Sequence, residues 1–188
     1  MENVIGNINS ETTENGVPYI KSSSSIFCST FYFQDYYDEK AISKFIKNTE
    51  AIIRQSKEYY DYLALIKTNY NILNFDNVMS HISDGDATIE IHHYPLTLYE
   101  IVDIVMSHHI VKKENFTSFS LAKEVMQLHF NHKIGFVPLS TTNHELAHEN
   151  GIFISLKQVF GEWKDFYTSY SDGVREEIKE KIENIERL

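Results

Sequence analysis

Two histidines four residues apart, His144 and His148, constrain the fold of this chain more than any other feature. At that spacing on a helix, both side chains leave the same face and reach one point in space. The segment before them, Ile134-Gly135-Phe136-Val137-Pro138-Leu139, reads as a short strand that runs into this helix. A second strand, Ala87 to His92, alternates apolar and polar residues and ends in the pair His92-His93. A chain that paired these strands would bring a histidine pair at one strand end close to a histidine-bearing helix.

The rest of the chain reads as mainly helical. Residues 1–37 are expected as a mobile or extended arm, rich in Asn, Ser and Thr up to residue 25 and dense in aromatics from Phe27 to Tyr37. A long helix is predicted from an N-cap at Asp38 to about Lys67, with Ile42, Phe45, Ile46, Ile53, Tyr60 and Leu63 on its apolar stripe. Asn-rich residues 69–77 close it, so residues 38–80 form one helix and its connection. Thr97 and Glu100 make a capping box for a helix carrying Leu98, Ile101, Val102 and Val105. Another helix is expected from about Ser118 to Asn131, and Thr142 with Glu145 looks like the box that opens the His144 helix. Gly151 is placed to close that helix, and a further helix is expected from Ser155. The charged segment 171–188 carries one narrow stripe of Val174, Ile178, Ile182, Ile185 and Leu188. That stripe suits packing on its own domain or on a partner helix.

Charge and composition remove several classes of function. Seventeen Lys and Arg against 27 Asp and Glu give a net charge of −10, which opposes broad attraction to nucleic acid. From His81 to Gly151 four lysines face nine carboxylates, and no arginine is present. No apolar run is long enough to cross a membrane, and the first residues do not read as a secretory signal. The single cysteine, Cys28, excludes an internal disulfide and suits a cytoplasmic setting.

All nine histidines lie between His81 and His148. An isolated histidine is ordinarily an exposed or hydrogen-bonded side chain, and that reading is kept for His81, His108, His109, His129 and His132. For His144 and His148 metal ligation is the sharper expectation. His144-Glu145-Leu146-Ala147-His148 fits the H-E-x-x-H pattern of zinc metalloproteases, with Glu145 as base. Position 154 of the extended form of that motif is Ile rather than His, and the helix starts at the motif instead of well before it.

The order of a strand ending in His92-His93, a return strand, and a His144-x-x-x-His148 helix resembles the ββα-metal finger of HNH nucleases, closest to the colicin-type variant. The stretch Ile89 to Phe160, roughly a third of the chain, also resembles HNH-like proteins of large phages. The resemblance implies an α+β, mainly helical fold. It places a metal-finger domain at 81–170 with a helical insert at 97–131, flanked by N-terminal and C-terminal helices. It further implies His92, His144 and His148 as ligands of one divalent ion (Mg, Zn or Ni), His93 as general base and Asn131 as the residue orienting that base. The implied activity is hydrolysis of nucleic-acid phosphodiester bonds, and with no arginine between His81 and Gly151 that reading leaves Lys133 to hold the scissile phosphate. Fifty residues separate His93 from His144, where the family has a short loop. Two alternatives stand beside this: the zinc metalloprotease, and a non-catalytic phage structural protein that keeps the finger as a metal staple and meets protein partners through its N-terminal arm or C-terminal helix.

Overall fold

In the computed structural model of the protein, the described residues are 9–12, 18–21, 38–149 and 151–187. The fold is α+β and mainly helical. Near the N-terminus, β1 (Asn9–Thr12) and β2 (Pro18–Lys21) pair antiparallel. The remainder of the predicted arm, including the serine run and the aromatic stretch Phe27 to Tyr37, lies outside the described residues.

The expected single helix over 38–67 is two helices. α1 (Glu39–Gln55) begins at Asp38, whose carboxylate accepts the N–H groups of Lys40 and Ala41. α2 (Lys57–Asn69) follows after one residue. Ser56 makes the break: its hydroxyl donates to the Ile53 carbonyl at 2.7 Å and accepts the Tyr59 N–H at 3.1 Å, ending one helix and capping the next. The break resets the helical phase. Ile42, Phe45, Ile46 and Ile53 are buried as expected, but Tyr60 is 63% exposed and the inward positions of α2 are Tyr59, Tyr62 and Ile66.

α3 (Leu98–Lys112) is buried over most of its circumference and forms the centre of the main core. Its capping box is present: the Thr97 hydroxyl accepts the Glu100 N–H, and the Glu100 carboxylate accepts the Thr97 N–H. α4 (Ser118–Phe130) packs beside α1 and α3. The helix expected from Ser155 is instead one 3-10 turn, Leu156–Gln158, followed by α6 (Trp163–Ser169). Between them Gly161 has φ +91°, where an added Cβ would fall 2.1 Å from the Ile134 carbonyl oxygen. Only glycine fits there. α7 (Glu176–Arg187) turns Ile178 and Ile182 into the main core and is tied to the start of α3 by Lys181 and Glu100 at 2.7 Å. Of its apolar stripe, Val174, Ile178 and Ile182 are buried in that core, and Ile185 is half-buried.

The site rests on a second small sheet. β3 (Ile89–His93) pairs antiparallel with β4 (Phe136–Ser140), with His92 opposite Val137 and Glu90 opposite Leu139. β4 runs directly into α5 (Thr141–His148). Under this corner lies a separate small cluster of Val137, Leu139 and Ile154.

Candidate metal centre

Period-two alternation along β3 decides which side chains meet. Ile91 and His93 face the helical core, while Glu90 and His92 face α5. On α5, one helical turn separates His144 from His148, and both point back at the strand. The three rings form a near-regular triangle, with centroids 4.9 Å apart for His92–His144, 4.9 Å for His92–His148 and 4.7 Å for His144–His148. One ring nitrogen from each lies within 4.8 Å of the others, and the Nε2 atoms of His144 and His148 are 3.2 Å apart. The predicted ligand set is therefore brought together across the fold.

Glu90 completes the group, and sequence reasoning missed it. Its carboxylate accepts a hydrogen bond from Nδ1 of His144. That fixes the proton on Nδ1 and leaves Nε2 with a lone pair facing the other two rings. The signal was present in the pattern, since Glu90 stands two residues before His92 on one strand and so shares its face. Burial, then the neighbouring charges of His144, His148 and Lys181, push His92 down to about 4, so its ring is neutral at ordinary pH. His92 also lines an open cleft of about 710 Å³ that reaches Ile152, Phe153 and Glu177, Glu180 and Lys181 of α7.

Asp76 is the other residue missed from sequence. Its carboxylate accepts the N–H groups of Val78 and Met79 on one oxygen, and the Ser140 N–H and Asn143 Nδ2 on the other. Burial raises its carboxyl, but the bonds from Ser140, Met79 and Asn143 outweigh that and hold it at about 2. Asp76 thus pins the start of α5 to the connection after α2. The expected Thr142–Glu145 capping box is not what opens this helix. Ser140 is the N-cap residue because β4 enters without a loop, and Glu145 is exposed. Gly151 does close it, its N–H returning to the Leu146 carbonyl at 2.7 Å.

His93 and Asn131 are placed elsewhere. β3 stays extended through His93, so the pair divides between two faces of the sheet. The His93 ring is 7% exposed, stacks on Tyr59 and lies with Nε2 3.0 Å from Nε2 of His129. His129 donates from Nδ1 to the Val125 carbonyl at 2.7 Å, so it accepts from His93. Burial, followed by the charges of His129 and Arg54, holds His93 well below its usual range. Asn131 is exposed at the C-terminal end of α4 and bonds its N–H to the Gln127 carbonyl. Lys133 is engaged by two carboxylates, those of Glu162 and Asp165.

Over residues 1–188 the sequence matches the family described as Bacteriophage G278-like virion protein. The chain belongs to that family. No curated protein and no solved structure matches it. Membership over the whole length overturns the HNH identity, and with it the nuclease and hydrolase readings. The physical reason the resemblance misled is visible in β3. A base needs water, and the residue carried over as base points into the apolar core, whereas its neighbour faces the cleft. Nucleic acid also loses its support as a partner, because the lysine proposed to hold phosphate is already neutralised. Among the described residues no helix is long and apolar enough to cross a membrane.

Proposed function

We propose that this G278-like virion protein is a non-catalytic structural component of the phage particle, acting through contacts with neighbouring virion proteins. The observation that carries the reading is the match to a virion protein family over residues 1–188. The geometry is compatible with it. His93, the residue carried over as base, lies in the core, and Lys133, the residue considered for holding a phosphate, is ion-paired. Exposed apolar side chains such as Tyr60, Ile72 and Phe153 offer contact points for protein partners.

The test is to purify intact particles through a density gradient and quantify the chain by mass spectrometry. A fixed copy number per particle is expected, together with no cleavage of plasmid DNA by the purified chain in Mg²⁺, Zn²⁺ or Ni²⁺. Absence of the chain from particles would overturn the proposal. So would metal-dependent cleavage that disappears in His93→Ala.

A further inference from the structure

We propose that His92, His144 and His148 bind one divalent transition-metal ion of the zinc class, with Glu90 as the residue that positions His144. The inference is independent of where in the particle the chain sits. It begins from spacing. Two nitrogens bound to one tetrahedral zinc at the usual bond length stand about 3.3 Å apart, and Nε2 of His144 and Nε2 of His148 are 3.2 Å apart without any adjustment. The third nitrogen, from His92, is within 4.8 Å of both, so a small rotation of one ring closes the triangle.

The donor chemistry selects the metal. Three imidazoles suit zinc, nickel or copper, whereas magnesium and calcium require oxygen ligands. The carboxylate behind His144 matches what metal-bound histidines commonly have: a partner on the far nitrogen that sets the tautomer and raises the basicity of the near one. In the absence of an ion, two imidazole Nε2 atoms in contact share a single proton between them. An ion accepts both lone pairs at once. Three protein ligands leave the fourth tetrahedral position for a water from the cleft that His92 lines.

The fold gives such an ion a structural task. α5 buries only Asn143, and its start is held by the bonds from Ser140 and Asn143 to Asp76. Its last turn is exposed, with Glu145, Leu146, His148 and Glu149 all facing solvent. The helix is therefore anchored by buried hydrogen bonds at its start, while in its last turn only Ala147 packs on the small Val137–Leu139–Ile154 cluster. A metal ion bridging His92 to His144 and His148 adds a tie from that last turn to β3.

The experiment uses the full chain without a polyhistidine tag, stripped with chelator, and titrated with Zn²⁺ by calorimetry and with Co²⁺ by absorption. One equivalent of Zn²⁺ is expected to bind, with intense visible bands of four-coordinate Co²⁺. His148→Ala and His144→Ala should each weaken binding by roughly two orders of magnitude. Glu90→Gln should weaken it by about ten- to a hundredfold. His132→Ala, an exposed histidine outside the triangle, should leave it unchanged. Zn²⁺ should also raise the melting temperature of the wild type and not that of His148→Ala. Because His148 is exposed, that variant keeps its fold, which circular dichroism verifies. Equal Zn²⁺ affinity in wild type and His148→Ala would overturn the proposal. Weak, six-coordinate Co²⁺ bands in the wild type would do the same.

Discussion

Adjacent residues of one strand, His92 and His93, have opposite fates, and the two histidine clusters they join differ in every respect that matters. His93 joins His129 inside the helical core, where two neutral rings share a chain of hydrogen bonds ending at the Val125 carbonyl. His92 joins His144 and His148 at the edge of a cleft, where one ring nitrogen from each lies within 4.8 Å of the others. The residue type is the same, and the difference is the strand's pleat. The buried pair is satisfied by what it already touches. The open triangle has one short contact, between Nε2 of His144 and Nε2 of His148, which shares a single proton, and it is this group that the proposed ion would satisfy.

That contrast breaks most visibly if the buried pair is removed. His129→Ala deletes a ring packed edge-on against Tyr59 and Tyr62 and leaves the His93 N–H without its acceptor. A cavity plus an orphaned buried donor should cost about 3–4 kcal/mol, read as a lower urea midpoint at unchanged slope. Metal-free His148→Ala should stay within about 0.5 kcal/mol of wild type, since an exposed ring is lost. Comparable losses in the two variants would show that the core pair is not structural.

Acid sharpens the same comparison. Burial, opposed in part by the hydrogen bond to Val125, pushes His129 down to about 4, below the 6.5 of an ordinary histidine. A histidine with a depressed folded-state value contributes stability that is complete above about pH 6.5 and is lost as pH falls toward 4, because the unfolded chain takes up the proton first. Between pH 7 and 5 His129 alone should cost the wild type about 2 kcal/mol, and His129→Leu should lose less. Asp76 acts in a different window. Its carboxyl is depressed to about 2 from 3.8, so its contribution holds down to about pH 4 and disappears only below that. Urea titrations at pH 7, 5 and 3 separate the two. Stability that is flat from pH 7 to 5 would mean the buried histidines already find a way to charge.

α1, α3, α4 and the β3–β4–α5 corner were legible because their signals are local: apolar spacing, the Thr97–Glu100 box, and a strand leading into His144-x-x-x-His148. The break at Ser56 was not, since a lone serine in a helical pattern reads equally as a surface position. The meeting of His92, His144 and His148 was legible because helix spacing and strand ends fix it without knowledge of the packing between them. The fate of His93 was hidden, because it depends on whether the strand continues one residue further, and that is set by pairing with Phe136. Asp76 was hidden for a related reason: its partners at Ser140 and Asn143 lie 64 and 67 residues away. Identity was the least legible of all. The same geometry that places three histidines around one point serves either chemistry or structure, and the pattern of ligands does not distinguish them.

Glu145 carries the smallest expected effect and therefore the finest test of that last distinction. In a hydrolytic reading it is the base beside the metal, and Glu145→Gln abolishes function while leaving the fold intact. In a structural reading it is an exposed residue in the middle of α5, between two ligands but not one of them. The substitution should then change stability by less than about 0.5 kcal/mol and leave Zn²⁺ affinity within about twofold, because the ligands and Glu90 are untouched. Infectivity of particles carrying Glu145→Gln should equal that of wild type, whereas Glu90→Gln, which disturbs the orientation of His144, should lower particle stability in the presence of chelator-buffered zinc. A phage crippled by Glu145→Gln with Zn²⁺ binding preserved would place chemistry back at the triangle and reverse the assignment of a purely structural role.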